Sequence, residues 1–581
     1  MWNNRRSFLK LTATALPAFS QNTRPARPNV LVILTDDQGY GDMSCHGNPV
    51  LKTPNIDRLH SESVRFTDFH VAPMCTPTRG QLMSGVDALR NKATSVTAGR
   101  AFLRRELPTM ADVFRAGGYG TGVFGKWHLG DHYPYRPMDR GFETAKYFLS
   151  FGLSSAPEFD NDYFNGRYHD NGVVKQFRGY CTDFWFSEAM KWMGERKTAH
   201  EPFFCYLATN APHGPLWVEE KYAAPYRREG VPAKFFGMIA NLDENLGKLE
   251  AFLKDKGLRE NTIVVFMTDN GATAGFNLHN AGMRGRKTMI YEGGHRVPCF
   301  VRWPAGNLRA AGDIDTPAQI QDVLPTMIGL CGLKAPANAS FDGRSLAPVL
   351  TGKGSLPNRM MVVQYGQIPK KWESTVIWAK WRLVNGTELY NIGNDPEQKL
   401  DVAAANAGVL EKMRAHYEKW WAGVEPGLSD FCPVSIGAKQ QNPVYLTSSD
   451  WEEIYADNPG HVSNAVGGPR GGPWNVFVES GGNYEIMLTR WPPHQKLALD
   501  VGRTPQKLTD GSLPEGKAMP VAGAKLTIAG QEHAMKTEPG QKAATFQVRL
   551  NGGIKTKLHG WFTDAGGKDL CGAFYATVRK V

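Results

Sequence analysis

Four apolar runs in the sequence each end in side chains that can bind a metal ion or an oxyanion. The polar residues that follow the runs are Asp36 and Asp37, Lys126 and His128, Asn210 and His213, and Asp269 and Asn270. Carboxylate and amide oxygens are ligands for hard cations, whereas lysine and histidine bind anions or transfer protons. These residue types predict metal-binding or anion-binding chemistry at the ends of the runs.

The runs themselves are typical of strands that are buried on both faces. They cover residues 29–34, 122–124, 203–207 and 262–267, and they are rich in β-branched and aromatic residues without polar alternation. This pattern favours a mainly parallel sheet that is covered by helices. Ligands bind beyond the carboxyl ends of the strands in such sheets, so we expect all four polar groups at one edge.

Helical patterns lie between the strands, as a βαβ arrangement requires. Apolar residues spaced by three and four form one stripe, namely Ile239, Leu242, Leu246, Leu249 and Leu253. Residues 109–116 predict a second helix with Thr109 as its N-cap and glycines after its end. The expected fold class is therefore α/β.

The segment from Cys75 to Gly80 reads C-T-P-T-R-G, which resembles the C-x-P-x-R signature of sulfatases. Five segments follow the order seen in that family: P-N-V-L-V-I-L-T-D-D-Q-G-Y-G-D, C-T-P-T-R-G, G-K-W-H-L-G, A-P-H-G-P and T-D-N-G. A sixth, at residues 286–294, resembles its K-x-x-x-Y-E-G-G element, and residues 342–346 and 388–396 resemble its C-terminal subdomain. The chain thus resembles a type I sulfatase of the alkaline-phosphatase-like superfamily over residues 28–425.

The resemblance implies a formylglycine at position 75, made by oxidation of Cys75 and hydrated in the resting enzyme. It also implies one divalent cation, bound by Asp36, Asp37, Asp269, Asn270 and an oxygen of the modified Cys75. Such an all-oxygen set suits a hard ion and disfavours zinc, so we expect Ca²⁺ first and Mg²⁺ second. Without a cation between them, two buried acidic clusters would repel each other.

The family also implies roles for the other motif residues. Arg79 would hold the modified side chain, Lys126 and Lys287 would bind the sulfate, and His213 would protonate the leaving alcohol. His128 would take a proton from the diol, so that sulfate leaves by cleavage of the carbon–oxygen bond. Considered singly, the acidic pairs also fit turns after strands, and each histidine also fits a structural role.

The N-terminus resembles a twin-arginine export signal, with Arg5-Arg6-Ser-Phe8-Leu9-Lys10 before a modestly apolar stretch. An ordinary secretory signal is the alternative, with the same destination. We expect residues 1–24 to be removed, a periplasmic or secreted protein without a permanent membrane anchor, and oxidation of Cys75 by a formylglycine-generating enzyme before export. Eight cysteines in 581 residues are too few for a disulfide scaffold.

The formal net charge of +11 suits an anionic substrate. The basic residues are nevertheless scattered, and no basic stripe with interleaved aromatic residues indicates nucleic-acid binding.

Composition changes after about residue 427, which predicts more than one domain. We expect a catalytic domain at residues 25–427, with its C-terminal subdomain at about 345–427, and a β-sandwich-like domain at 430–581. Alternation at Phe546, Val548 and Leu550 followed by a return through residues 555–562 predicts a β-hairpin. The tryptophans of this domain, Trp451, Trp474 and Trp491, fit either its core or a sugar-binding surface, with the core favoured.

The leading functional hypothesis is a sulfuric ester hydrolase that acts on a sulfated glycan or an aryl sulfate. A phosphonate monoester or phosphodiester hydrolase of the same superfamily is an alternative, since related enzymes share the signature and the metal ligands. An inactive homologue that binds glycans is the third hypothesis.

Overall fold

A computed structural model describes residues 27–150, 161–337, 339–456, 459–464, 470–508, 511–513 and 515–581. The predicted export signal therefore lies outside the described residues. Among the helices of the described ranges, none combines the length and apolar character that a membrane span requires.

The strands of the first part of the chain are β1 (Asn29–Thr35), β2 (Val64–Phe66), β3 (Phe69–His70), β4 (Gly120–Lys126), β5 (Thr144–Phe148), β6 (Arg167–Asp170), β7 (Val173–Gln176), β8 (Phe203–Ala208), β9 (Thr262–Thr268), β10 (Cys299–Arg302), β11 (Gly312–Ile314), β12 (Ala318–Gln319), β13 (Met360–Gln364), β14 (Ser374–Trp378), β15 (Trp381–Val384) and β16 (Glu388–Asn391). The strands of the last part are β17 (Val434–Ile436), β18 (Val444–Thr447), β19 (Trp474–Val478), β20 (Gly482–Thr489), β21 (Gln506–Leu508), β22 (Gly511–Leu513), β23 (Gly523–Ile528), β24 (Gln531–Lys536), β25 (Ala544–Leu550), β26 (Ile554–Thr563), β27 (Asp569–Gly572) and β28 (Tyr575–Lys580).

The α-helices are α1 (Pro54–Ser61), α2 (Cys75–Ser84), α3 (Ala88–Asn91), α4 (Met110–Ala116), α5 (Cys181–Thr198), α6 (Glu220–Ala223), α7 (Ala233–Asp255), α8 (Glu292–His295), α9 (Val323–Cys331), α10 (Ala347–Leu350), α11 (Ala407–Val424) and α12 (Pro459–Asn464).

The central sheet has the strand order β11-β2-β10-β9-β1-β8-β4-β5-β6-β7. Its middle strands, β9, β1, β8, β4 and β5, are parallel to one another, whereas the flanking strands β10 and β6 are antiparallel to β9 and β5. Side chains of β1 alternate between two apolar layers, with Val30 and Val32 in one and Leu31 and Ile33 in the other. The predicted α/β fold with a mainly parallel sheet buried on both faces is confirmed.

Two predicted helices are confirmed, and a third helix carries Cys75. The leucine stripe of α7 is buried throughout, and Thr109 caps α4 in a reciprocal capping box with Asp112. This third helix, α2, begins at Cys75, and its first helical backbone hydrogen bond runs from the Thr78 N–H to the Met74 carbonyl. Cys75 is therefore itself part of the first turn, where Pro77 removes no needed donor.

The C-terminal part consists of further sheets. Strands β13 to β16 form an antiparallel sheet, and the apolar face of α11 packs on it. The strands after them form two facing sheets, β17-β19-β26-β23-β24 with β27 beside β26, and β18-β28-β20-β25. The predicted domain boundaries stay predictions.

The predicted hairpin between β25 and β26 is wrong. β25 pairs with β20, whereas β26 pairs with β19 and β23 in the opposite sheet. The connection through the glycines at 552 and 553 therefore crosses from one sheet to the other. Alternating apolar residues face the same inter-sheet core in either arrangement, so the sequence pattern did not distinguish them.

The three tryptophans of this region all lie in its core rather than on a sugar-binding surface. Trp451 and Trp474 have no exposed area, and Trp491 is 2% exposed. The indole of Trp474 donates a hydrogen bond to the carbonyl of Thr447. Phe102 and Tyr135 from the first part of the chain join the same apolar cluster, so the sandwich packs directly on the catalytic part.

Candidate active site

Neighbouring strand ends bring the predicted site residues to one edge of the central sheet. Asp269 follows β9, Asp36 follows β1, and Lys126 ends β4, with β8 between the last two strands. The backbone N–H of Asp37 donates to Asp269 Oδ1 over 3.1 Å, which joins the first two strand ends directly. The predicted shared edge is thus present, because parallel strands end on the same side of a sheet.

Cys75 is buried in the first turn of α2, next to this edge. Its Sγ lies 3.6 Å from Asp36 Oδ1 and 3.5 Å from Lys287 Nζ. Burial raises the pKa of the Cys75 thiol to about 12, against the influence of Lys126 and Lys287. An unmodified thiol at this position is therefore protonated at neutral pH and is a poor nucleophile.

Three buried carboxylates and three cations form ion pairs around Cys75. Lys126 Nζ lies 2.5 Å from Asp36 Oδ2 and Lys287 Nζ lies 2.6 Å from Asp37 Oδ1. The third pair joins Arg79 NH2 and Asp269 Oδ2 at 2.8 Å.

These pairs supply part of the positive charge that the buried acidic clusters were expected to require. Burial opposes ionisation of both partners in the Asp37–Lys287 pair. Their mutual attraction nevertheless holds the pKa of Asp37 well below its usual value and the pKa of Lys287 well above its own. Lys287 therefore compensates Asp37, whereas burial and the neighbouring Asp36 raise the pKa of Asp269 to about 6 in spite of Arg79.

The donor set still fits a hard cation. Asn270 donates from Nδ2 to Asp37 Oδ1 over 2.9 Å, which fixes the amide. Its Oδ1 is buried and accepts no hydrogen bond from the described residues. A buried amide oxygen beside three carboxylates has the chemistry of a calcium or magnesium ligand. Donor atoms of Asp36, Asp37, Cys75 and His213 also lie within 4.8 Å of one another.

Both predicted histidines interact electrostatically with residues of this site, His213 with Asp37 and His128 with Lys126. His213 Nε2 lies 3.7 Å from Asp37 Oδ2, and its Nδ1 donates to the carbonyl of Gly214 over 2.6 Å. Burial lowers the pKa of His213 to about 4, and burial with Lys126 lowers that of His128 well below its usual value. Both rings are therefore neutral at pH 7, and the proton of His213 is on Nδ1.

His128 and Asp37 adopt left-handed backbone conformations, with φ of 58° and 66°. Non-glycine residues rarely adopt this conformation, which concentrates at functional sites. The side-chain oxygen of Asn210 accepts a hydrogen bond from the indole of Trp185 rather than from a residue of the site.

Two residues at the site were not predicted from the sequence. The phenol oxygen of Tyr206, in β8, accepts a hydrogen bond from Arg79 NH1 at 3.3 Å. Arg382, in β15, lies 2.6 Å from both Glu292 and Asp68, and all three side chains are buried. Glu292 begins α8, shortly after Lys287, so this ion pair anchors the segment that follows the lysine. A strand pattern gives no signal for either contact, because each partner lies far away in the sequence.

Comparison with known proteins agrees with this geometry. The sulfatase family model matches residues 28–333. N-acetylgalactosamine-6-sulfatase of Canis lupus familiaris is 27% identical over 467 residues, covering 70% of this chain and 87% of that protein. Arylsulfatase G of Mus musculus is 30% identical over 392 residues, covering 59% of this chain and 73% of that protein.

A solved structure is similar over most of its length. The crystal structure of Ps i-CgsB in complex with k-i-k-neocarrahexaose is 28% identical, covers 68% of this chain and 92% of that chain, and superposes with a TM-score of 0.63. The sequence similarities and the arrangement around Cys75 show that the chain belongs to the sulfatase family, the type I enzymes of the alkaline-phosphatase-like superfamily that hydrolyse sulfate esters.

Proposed function

We propose that this sulfatase removes sulfate from a sulfated glycan outside the cytoplasm, and that it does so with a formylglycine at position 75. The observation that carries the proposal is the position of Cys75 Sγ between Asp36 and Lys287. The glycan substrate is supported by two similar proteins, one named for N-acetylgalactosamine-6-sulfate and one solved with neocarrahexaose.

The environment of Cys75 favours its modification. A buried thiol with a raised pKa gains little as a nucleophile, whereas hydrated formylglycine would supply a hydroxyl and a route for releasing sulfate by carbon–oxygen cleavage. Because Cys75 is buried, a formylglycine-generating enzyme would have to act before the chain folds. This order agrees with the twin-arginine signal proposed at residues 1–24, since that route exports folded proteins.

Lys126, Lys287 and Arg79 would bind the sulfate and the charge that develops on its oxygens. Their pairing with carboxylates fixes the cations in place, so no reorganisation is needed when the anion arrives. Asp36, Asp37, Asp269 and Asn270 would hold one divalent cation, with Ca²⁺ preferred to Mg²⁺. This cation would polarise the sulfate and lower the pKa of the attacking hydroxyl.

The histidines would move protons. His128 is neutral and buried, as a base for the diol hydroxyl requires. His213 is also neutral in the resting site, so it would have to gain a proton on Nε2 before it protonates the leaving alcohol. A bound sulfate ester brings negative charge next to the ring and thereby raises the pKa of His213.

The deciding experiment uses protein made together with a formylglycine-generating enzyme and loaded with Ca²⁺. Sulfate release would be measured on sulfated saccharides and on 4-nitrophenyl sulfate, and ester cleavage on a phenylphosphonate monoester, with Cys75→Ala as the control. Mass spectrometry of the peptide that contains position 75 reports the aldehyde.

Sulfate release by the modified wild type and none by Cys75→Ala supports the proposal. Faster turnover of the phosphonate would favour the phosphonate hydrolase. A protein that stays unmodified at position 75 and cleaves neither ester would favour the inactive glycan-binding homologue.

A further inference from the structure

We propose that a cleft between the central sheet and the C-terminal β-sandwich binds the saccharide chain that extends from the sulfated sugar. This inference rests on the glycan substrate proposed above. It assigns the β-sandwich a direct role in substrate binding and predicts a preference for oligosaccharides over single sugars or aryl sulfates.

The cleft has a volume of about 400 Å³, within the range of small-molecule binding sites. One wall comes from the edge of the central sheet and includes Tyr147, Leu149 and Val174. The other wall comes from the β-sandwich and includes Gln441, Tyr445 and His494. Neither part of the chain forms the cleft alone.

The cleft lies a few strands away from the sulfate-binding residues. β5 pairs with β4, and Phe148 lies opposite Lys126 in the register. Lys126 Nζ bonds Asp36 after β1, on the opposite side of β4 from β5, so with strands about 4.8 Å apart Leu149 lies roughly three strand spacings from that ion pair. Asp131 follows His128 by three residues, and its carboxylate accepts a hydrogen bond from the Ser150 backbone over 2.7 Å. A saccharide with its sulfate bound at Lys126 would therefore reach the cleft only with sugars beyond the sulfated one.

The lining chemistry suits an anionic sugar chain. The ring of Tyr445 stacks on Tyr575 at 5.8 Å with planes 6° apart, which fixes a flat aromatic surface of the kind that packs against the C–H face of a pyranose. Val174 is 54% exposed on β7, the edge strand of the sheet, and adds apolar surface. Arg167 and Arg136 also line the cleft and can donate hydrogen bonds to sugar or sulfate oxygens, although the charge of Arg136 is compensated by its ion pair with Asp139.

The two walls are held together by polar contacts, so the cleft is formed before a ligand binds. The backbone of Tyr133 donates to Gln441 Oε1 over 2.7 Å, and its carbonyl accepts from the backbone of Ser435. His132 Nε2 lies 3.0 Å from Asp450 Oδ2. A preformed cleft loses little entropy of ordering when a saccharide binds.

The test places a bulky side chain in the cleft and measures kcat/KM on three substrates: 4-nitrophenyl sulfate, a sulfated monosaccharide and a sulfated hexasaccharide of the same sugar. Val174→Trp fills the cleft. Val173→Trp is the matched control, because Val173 is 60% exposed on the same strand, points to the other face and does not line the cleft. Tyr445→Ala tests the opposite wall.

Val174→Trp and Tyr445→Ala should each lower kcat/KM for the hexasaccharide by about tenfold, a loss of about 1.4 kcal/mol in binding the transition state. Values for the monosaccharide and for 4-nitrophenyl sulfate should stay at the wild-type level, and Val173→Trp should resemble wild type on all three. Retained turnover of the small substrates shows that each variant is folded.

An equal effect of Val174→Trp on all three substrates, or no effect on the hexasaccharide, would overturn the cleft proposal. If the proposed function itself were wrong, the wild type would release no sulfate from any of these three esters.

Discussion

The guanidinium of Arg79 lies 2.8 Å from the carboxylate of Asp269, although the two residues are 190 positions apart and neither is exposed. The same guanidinium contacts the phenol of Tyr206 and the carbonyl of Lys126. Arg79 thus ties α2, which carries Cys75, to the ends of three parallel strands. Arg79 therefore both forms part of the site and holds these elements together.

Removal of Arg79 should cost both stability and activity. Arg79→Ala leaves Asp269 buried without its partner, and we expect the free energy of unfolding to fall by about 3–5 kcal/mol. Urea denaturation measures this change, and the sulfate-release assay should show no turnover. Arg178→Ala removes an exposed arginine and is the control, expected to resemble wild type. A stability loss below about 1 kcal/mol in Arg79→Ala, as for an exposed ion pair, would contradict this account of the pair.

Tyr206→Phe should reduce activity with little effect on stability. The substitution keeps the ring in β8 and removes one acceptor of Arg79, whose guanidinium is then less tightly oriented but keeps its bonds to Asp269 and to the Lys126 carbonyl. We expect kcat/KM to fall about tenfold or more while the urea midpoint stays within error. Tyr484→Phe removes a distant phenol that donates to the Ser480 carbonyl, and it is the control. Equal losses of activity in both variants would argue against a positioning role for Tyr206.

Removal of the metal should abolish sulfate release, and Ca²⁺ or Mg²⁺ should restore it while Zn²⁺ does not. Ca²⁺ at 100 times its dissociation constant should raise the free energy of unfolding by about 2.7 kcal/mol. Asn270→Ala should weaken this stabilisation because it removes the buried amide oxygen, whereas Asn551→Ala, at an exposed position, should not. If Ca²⁺ stabilises neither wild type nor variant, the lysine and arginine pairs alone compensate the carboxylates.

Stability should decline in mild acid partly through His46. Burial lowers the pKa of His46 to about 4 from 6.5, although the Tyr40 carbonyl, which accepts from its Nδ1, opposes the shift. The unfolded chain therefore takes up this proton at a higher pH than the folded chain does. The contribution is complete above pH 6.5 and falls by up to about 3 kcal/mol as the pH drops towards 4.

The measurement compares the free energy of unfolding of wild type and His46→Gln across this range. The advantage of the wild type should shrink steadily between pH 6.5 and pH 4. A difference that does not change with pH would exclude His46 as the titrating group.

Part of the fold could be predicted because it depends on local patterns. Apolar runs of strand length, the spacing of Leu242, Leu246 and Leu249, and the Thr109 cap all act within a few residues of chain, and the structure confirms each. The hairpin expected between β25 and β26 was wrong for a related reason. Alternation shows that a strand has one apolar face, but it does not show which neighbour the strand pairs with.

The sequence by itself determined the residue types of the site, the strand ends that carry them and the family to which they belong. Only the tertiary structure decided which charges meet: Lys126 with Asp36, Lys287 with Asp37 and Arg79 with Asp269. It also revealed Tyr206 and Arg382 behind the site, and the cleft between the sheet and the sandwich. The physical reason is the distance along the chain over which each effect acts. Helix and strand preferences act between neighbours in sequence, whereas these contacts depend on sheet order, register and packing between distant segments.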